Sequence, residues 1–264
     1  MEKETRNNYK MACLESLKST KASLAPDENG SPDCLTVGCV VMASGASRRF
    51  GGGRNKLLEE IGGKAMVLRT ADALSEAGLE PLIVTRSEEI RAAAGGTYAC
   101  LLHAEPEKSA TIRNGLSFLQ ERYEKSGLSM VGCLFIPGDQ PLVRKESICR
   151  MLAAFTANPG AVVRLGYGGR GRSPVIFPAT MFPELMKLTG EQGGSALLAP
   201  SPVASDLTTK RSCGMTEGTE KPPAVCSRII VTEAKDASEL MDADTPEELE
   251  KIRMIFRGKE ELRR

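Results

Sequence analysis

Apolar and polar residues alternate along the chain in a pattern that predicts strands followed by helices from residue 35 onward. Short β-branched and apolar runs predict seven strands, at 36–42, 81–85, 98–102, 131–136, 161–165, 174–177 and 228–233. Longer stretches with helical spacing predict six helices, at 64–77, 87–94, 109–124, 144–157, 179–188 and 246–256. This alternation indicates βαβ units, so we expect an α/β fold around a mostly parallel sheet.

Two polar segments fall outside this alternation. Residues 1–34 end in a cluster of helix breakers at 26–32, and we expect them to form a mobile N-terminal appendage. Residues 200–226 are rich in Ser, Thr, Pro and Gly and are expected to form a disordered insertion. The remaining chain, 35–264, is long enough for one α/β domain.

A glycine-rich, basic loop follows the first predicted strand. Gly45 and Gly51–Gly53 allow tight backbone bends, and four cations lie among them or just after them: Arg48, Arg49, Arg54 and Lys56. Backbone N–H groups and cations that converge at the carboxyl end of a strand suit a polyphosphate ligand. The spacing matches neither a Walker loop nor a dinucleotide fingerprint. A basic surface loop without a ligand is the alternative.

Acidic residues occur at two further places where they could bind a ligand. Asp139 follows a hydrophobic strand that ends in Gly138, and Pro141 stiffens the exit. Such a carboxylate lies at the ligand-binding edge of an open α/β sheet, where it can bind Mg²⁺ or bond to its own turn. Asp242 and Asp244 precede a predicted helix with a capping box at Thr245 and Glu248. They are either metal-binding residues or charges favoured by the helix dipole.

The loop motif resembles that of a known family. Ala43-Ser44-Gly45, Ser47, Arg49 and Gly51, followed by Lys56, look like the signature loop of nucleotidyltransferases that join a nucleoside triphosphate to a phosphorylated acceptor. The chain is most similar to the molybdenum-cofactor branch, which makes cytosine or guanine dinucleotide forms of molybdopterin, over about residues 36–198 and 228–256. The resemblance implies a three-layer αβα, Rossmann-like fold of the nucleotide-diphospho-sugar transferase type.

The resemblance also implies roles for particular residues. It predicts Mg²⁺ as the cofactor, held by Asp139 and Asp242, with Asp244 as the weaker candidate. The catalytic residues would be Arg49, Lys56 and Asp139. The residues expected to bind the nucleotide are Ala43, Ser44, Gly45, Ser47, Arg49, Lys56, Thr111 and Asp139. Those that match acceptor-side loops are Arg172, Ser173, Pro174, Gly193 and Gly194.

Several alternatives stay open at this level. Two interpretations of the helix that starts near residue 109 are equally favoured: Thr111 contacts the nucleoside, or Ser109 is simply the N-cap of the helix. His103, the single histidine, is expected to be structural rather than catalytic. CTP is preferred, although Ser44 matches neither the Ala of cytidylyl members nor the Gly of guanylyl members. Guanylyl transfer, a sugar or polyol phosphate acceptor, and a non-catalytic nucleotide-binding protein are the alternatives.

Composition limits the partners and the compartment. The chain has 35 Lys and Arg against 34 Asp and Glu, so its net charge of +1 gives no general attraction to nucleic acid or membrane. The eight cysteines include no CxxC pair, and no apolar run reaches membrane-spanning length. We therefore expect a cytoplasmic protein whose partners are a nucleoside triphosphate, a phosphorylated small molecule and, for a molybdopterin acceptor, a molybdoenzyme.

Overall fold

A twisted sheet of seven strands forms the centre of the fold. The computed structural model describes residues 36–45, 50, 55–198 and 228–261. Within them, the strands of the sheet are β1 (Thr36–Ala43), β4 (Leu82–Thr85), β5 (Ala99–Leu102), β6 (Met130–Pro137), β7 (Val162–Tyr167), β8 (Arg170–Pro178) and β9 (Ile229–Glu233). Their order across the sheet is β5-β4-β1-β6-β8-β7-β9. A separate short hairpin is formed by β2 (Glu60–Ile61) and β3 (Lys64–Ala65).

Helices cover both faces of the sheet. They are α1 (Met66–Glu76), α2 (Glu88–Ala94), α3 (Lys108–Lys125), α4 (Lys145–Thr156), α5 (Phe182–Met186) and α6 (Pro246–Glu261). Short 3₁₀ helices lie at Lys56–Leu58, Ala179–Met181, Gly194–Leu198 and Ala237–Leu240. Among the described residues, no helix combines the length and the apolar character needed to cross a membrane.

The direction of the strands decides which loops meet. β1 pairs in parallel with β4 and β6, and β4 pairs in parallel with β5. The carboxyl ends of these four strands therefore lie at one edge of the sheet, called here the ligand edge. β8 runs antiparallel to both β6 and β7, so its first residues reach the same edge from the opposite direction.

Alternate residues of each strand enter two separate cores, as expected for a sheet that is buried on both faces. Val41 and Leu134 belong to one core, together with buried residues of α1, α4 and α6. Val40 and Phe135 belong to the other, together with residues of α3 and α5. α3 packs so closely that a Cβ added at Gly115 would lie 3.0 Å from a methyl carbon of Val40. The result is the three-layer αβα fold.

The structure confirms the predicted fold class and all seven predicted strands, with small shifts at their ends. The helix expected from residue 64 begins at Met66, because Lys64 and Ala65 pair with Glu60 and Ile61 in the hairpin. The helix expected over 179–188 is a 3₁₀ turn followed by the five residues of α5. The predicted appendage at 1–34 and insertion at 200–226 lie outside the described residues.

Candidate active site

Three charged side chains from distant parts of the chain meet at the ligand edge. The Lys56 Nζ atom lies 2.7 Å from Asp139 Oδ2 and 2.8 Å from Asp244 Oδ1. The Lys56 and Asp139 side chains are only 10% and 15% exposed, whereas that of Asp244 is 41% exposed. Partial burial alone would lower the pKa of Lys56, but the two carboxylates outweigh it and raise the pKa above its usual value. Lys56 therefore carries its charge at neutral pH.

The backbone around Asp139 is fixed by contacts with neighbouring elements. Gly138 N–H donates to the Met42 carbonyl over 2.9 Å, and the buried Thr70 hydroxyl of α1 donates to the Gly138 carbonyl over 3.1 Å. The carboxylate's second oxygen, Oδ1, is buried and has no hydrogen-bond partner among the described residues. A buried carboxylate oxygen is costly without a partner, so this atom fits a site that binds a cation or a donor.

The other acidic segment is fixed by the predicted capping box. The Glu248 N–H donates to Thr245 Oγ1 over 3.2 Å, and the Thr245 N–H donates to Glu248 Oε2 over 2.9 Å. The Asp244 N–H donates to the same Glu248 oxygen over 2.9 Å. The capping box is thereby confirmed, and it positions the backbone of Asp244 as well as the start of α6.

Asp242 belongs to the same cluster of negative charge. Its pKa is raised, first by partial burial and then by the charges of Asp139, Asp244 and Glu248. The sequence predicts Asp242 rather than Asp244 as the metal-binding residue, and Asp244 is the residue that contacts Lys56. In the described part of the chain, no three or more His, Cys, Asp or Glu side chains form a ready metal-binding group. A bound ion would thus depend on one or two carboxylates and on ligand oxygens, the pattern that Mg²⁺ accepts.

A second cluster of side chains joins the ends of β1 and β5 to the start of α3. Ser44 Oγ lies 2.8 Å from His103 Nε2, and Thr111 Oγ1 lies 3.3 Å from the same nitrogen. The Ser44 hydroxyl also donates to the Val84 carbonyl over 3.3 Å, and with that bond made it can only accept from the tautomer of His103 that carries its proton on Nε2. Burial lowers the pKa of His103, the positive charge of Arg86 lowers it further, and Glu105 partly opposes the change. The imidazole is therefore neutral at neutral pH.

His103 is the residue whose position the sequence did not reveal. It was expected to be structural, yet it lies between Ser44 and Thr111, both of which were predicted to bind the nucleotide. The available signal was its place directly after β5, at the ligand edge. Ser109, the alternative to Thr111, is buried in the first turn of α3 and is not the N-cap, since Glu107 occupies that position.

The glycine-rich loop is described only at its start and end. The Ala43 carbonyl accepts a hydrogen bond from the Thr85 hydroxyl over 2.8 Å, and Gly45 is exposed. Two residues that were predicted to bind the nucleotide, Ser47 and Arg49, lie outside the described residues. The structure therefore brings together Ser44 with Thr111, and Lys56 with Asp139, and these contacts agree with their predicted placement at one edge.

The predicted acceptor residues lie on two segments near this edge. Phe135 of β6 pairs with Val175 of β8 as the last pair toward this edge, and Arg172 and Ser173 lie beyond that pair in β8. Arg172 is exposed, whereas Pro174 is buried. The segment that ends in Gly193 and Gly194 is tied to the start of α3, because the Ser109 N–H donates to the Gly190 carbonyl over 3.1 Å. The same helix carries Thr111, so this segment is attached to the element that contacts His103.

Comparison with known proteins identifies relatives of this fold and site. The family model described as "MobA-like NTP transferase domain" matches residues 39–207. The chain is 28% identical over 131 residues to the bifunctional enzyme IspD/IspF of Ruegeria sp., covering 48% of this chain and 33% of that protein. It is 27% identical over 230 residues to the purine catabolism protein PucB of Bacillus subtilis, covering 81% and 94%. It is 27% identical over 135 residues to 2-C-methyl-D-erythritol 4-phosphate cytidylyltransferase of Chlorobaculum tepidum, covering 47% and 54%.

Solved structures share the fold. Rv0371c from Mycobacterium tuberculosis superposes with a TM-score of 0.60 at 21% identity, covering 83% of this chain and 99% of that chain. A complex of Rv0371c with manganese superposes with a TM-score of 0.58 at 19% identity, covering 83% and 98%. The chain spans about a third of the length of the bifunctional relatives that it matches.

Proposed function

The chain belongs to the family of MobA-like NTP transferase domains, and on that premise we propose that it is a nucleotidyltransferase. A phosphate oxygen of an acceptor attacks the α-phosphorus of a nucleoside triphosphate, a new P–O bond forms, and the bond to pyrophosphate breaks. The observation that carries this proposal is the meeting of Lys56, Asp139 and Asp244 at the ligand edge. Cations and oriented donors at that place stabilise the charge that spreads over the phosphates.

No general base is needed in this reaction. A phosphate acceptor is already an anion at neutral pH, so the site has to bring anions together and hold them in line. The neutral His103 ring suits this scheme, since it can bond to Ser44 and Thr111 without adding or removing a proton. In this proposal Ser44, His103 and Thr111 face the nucleoside, while Lys56 and the loop residues Ser47 and Arg49 bind the triphosphate.

The acidic side chains fit a divalent cation, and Asp139 and Asp242 would hold Mg²⁺. The unpartnered buried Oδ1 of Asp139 supports this assignment, as does the raised pKa of Asp242 beside other carboxylates. The manganese complex of Rv0371c shows that a protein of this fold binds a divalent metal. A bound Mg²⁺ supplies neutralisation and polarisation of the α-phosphate.

Lys56 has to exchange partners in this scheme. Its ammonium group lies within hydrogen-bond distance of Asp139 and Asp244, so it competes with a divalent cation for their negative charge. Asp139 and Asp242 would hold the cation, which would supply the positive charge that Lys56 gives them in its absence, and Lys56 would then be free to bind the phosphates. The same residue thus serves the acidic cluster before the nucleotide binds and the triphosphate afterwards.

Within this class, CTP is the preferred triphosphate and molybdopterin the preferred acceptor. Cytidylyltransferases among the relatives support CTP. The acceptor-side residues would be Arg172, Ser173, Pro174, Gly193 and Gly194, and a molybdoenzyme would receive the product. Guanylyl transfer, a sugar or polyol phosphate acceptor, and nucleotide binding without turnover are the alternatives. The cytoplasmic location stays a prediction.

The test is pyrophosphate release from each of the four nucleoside triphosphates in the presence of Mg²⁺, with and without an acceptor. Molybdopterin, a sugar phosphate and a polyol phosphate are the acceptors to compare, and an Asp139→Ala variant is the control. We expect release with CTP and molybdopterin that depends on Asp139. Release with another pair would keep the enzyme class and change the substrates. Triphosphate binding with no release under any pairing would contradict the proposed activity.

A further inference from the structure

A buried carboxylate outside the site joins the two segments that carry the acidic residues. The side chain of Glu239 is 0% exposed and accepts three hydrogen bonds. The Lys235 N–H donates to Oε1 over 2.8 Å, while the Arg144 N–H and the Ser147 hydroxyl donate to Oε2 over 3.2 and 2.5 Å. These four residues are called here the Glu239 clasp. Three donors compensate for the cost of burying the carboxylate.

The contact extends beyond the clasp itself. The Arg144 guanidinium donates to Asp236 Oδ2 over 2.8 Å. Arg150 donates to Ser147 Oγ over 2.8 Å and to the Glu233 carbonyl over 3.1 Å. The first turns of α4 are thereby attached to the whole segment that runs from the end of β9 to the 3₁₀ helix at Ala237–Leu240. This attachment holds together two parts of the chain that are far apart in sequence.

The two sides of the Glu239 clasp lie equally far along the chain from the acidic residues. Asp139 lies five residues before Arg144, and Asp244 lies five residues after Glu239. One side of the clasp therefore ends the loop that carries Asp139, and the other side begins the segment that carries Asp242 and Asp244. The separation between these carboxylates depends on how firmly the two sides are joined.

We infer that Glu239 is a positioning residue, which fixes Asp139 relative to the segment of Asp242 and Asp244 so that Asp139 and Asp242 can share one divalent cation. The inference rests on the proposed function, because it takes the acidic residues as the metal site. Glu239 is enclosed by protein and touches no substrate, so it acts through the backbone of its neighbours. Partners that orient metal-binding groups contribute substantially to metal affinity.

The experiment measures Mn²⁺ binding to the full chain without nucleotide, by the electron paramagnetic resonance signal of free Mn²⁺. The Glu239→Gln variant keeps the size of the side chain but replaces one acceptor oxygen by a donor. We expect Mn²⁺ affinity to fall about tenfold, at the lower end of the effect of such partners. Ser147→Ala removes one donor and should weaken Mn²⁺ binding about threefold, a smaller part of the same effect.

Asp72→Asn is the matched control. Asp72 accepts hydrogen bonds from Tyr98 over 2.5 Å and from Lys64 over 2.7 Å, and Tyr98 precedes β5 at the sheet edge opposite the site. This variant should lose thermal stability and keep its Mn²⁺ affinity. Equal losses of Mn²⁺ affinity in Asp72→Asn and Glu239→Gln would overturn the inference, since general loosening of the fold would explain both.

Asp139→Asn separates the inference from the proposed function. If this variant binds Mn²⁺ as the unaltered protein does, the metal site is wrong, and the proposed function loses its support. If Asp139→Asn loses Mn²⁺ while Glu239→Gln and Ser147→Ala retain full affinity, the metal site stands and the positioning role of Glu239 is refuted. Should Glu239→Gln not fold, Ser147→Ala decides the question alone.

Discussion

Replacing Lys56 by Met is expected to strengthen metal binding and to lower turnover. The substitution removes the ammonium group that lies 2.7 Å from Asp139 and 2.8 Å from Asp244, and keeps most of the side-chain volume. In the unaltered protein, a divalent cation has to displace this positive charge before it can use the carboxylates. In the variant nothing has to be displaced, and the mutual repulsion of the carboxylates adds to the attraction for the cation.

The size of the effect follows from the two ion pairs. A hydrogen bond between charged groups contributes about 1.5–3 kcal/mol. The Asp244 pair is reduced by solvent, because that side chain is 41% exposed. We therefore expect the ion pairs of Lys56 to reduce the free energy of metal binding by about 1.5–2 kcal/mol. A factor of ten in affinity corresponds to about 1.4 kcal/mol. Mn²⁺ should bind Lys56→Met roughly ten- to thirtyfold more tightly.

Two measurements on the same protein preparation test this reasoning. Mn²⁺ affinity is measured without nucleotide, and pyrophosphate release is measured with Mg²⁺ and CTP. Turnover should fall at least about a hundredfold, the order found when one oriented stabilising group is removed from a transition state. Lys64→Met is a matched control, because Lys64 also pairs with an aspartate at 2.7 Å, namely Asp72. It should change neither quantity. Unchanged or weaker Mn²⁺ binding in Lys56→Met would refute the competition.

Three further variants give testable outcomes. Asp139→Ala should lower pyrophosphate release at least about a hundredfold, and retention of half the activity would exclude Asp139 from the chemistry. His103→Gln should raise KM for the triphosphate several times more than it lowers kcat. Because the pKa of His103 is lowered in the folded protein, the unfolded chain binds more protons as pH falls through the ordinary value of 6.5. The unfolding free energy should decrease there, and this decrease should be smaller in the Gln variant. Thr245→Ala should lower the unfolding free energy by about 1 kcal/mol through loss of the cap, measured by denaturant titration; an unaltered midpoint would contradict that role.

The parallel half of the fold was predictable from the sequence because burial on both faces leaves a continuous apolar run, as in residues 36–42 and 131–136. The capping box at Thr245 and Glu248 was equally readable, since both partners are close in sequence. The hairpin at Glu60–Ala65 was missed because its strands have only two residues each. Periodicity has no signal at that length.

The candidate site was predictable as a set of residues, but the contacts among them were not. Placing Lys56 and Asp139 at one edge follows from strand order. The direct pairing of Lys56 with Asp244 spans 188 residues, and no local pattern reports such a distance. The preference for Asp242 over Asp244 as a metal-binding residue stays a prediction. The contacts of His103 with Ser44 and Thr111 could not be predicted, because a single histidine after a strand has no recognisable spacing to a partner.

In the proposed function, the reversed strand β8 carries the acceptor-side residues Arg172 and Ser173, whereas the residues assigned to the triphosphate follow the parallel strands β1 and β6. Its first residues enter the ligand edge from a hairpin with an exposed tip at Gly168 and Gly169, whose N–H groups both donate to the Glu233 carboxylate. Insertions or replacements at such a tip leave the neighbouring parallel strands in register. If the proposed acceptor residues are right, exchange of this short turn would change the choice of acceptor among related proteins and leave the residues assigned to the triphosphate in place.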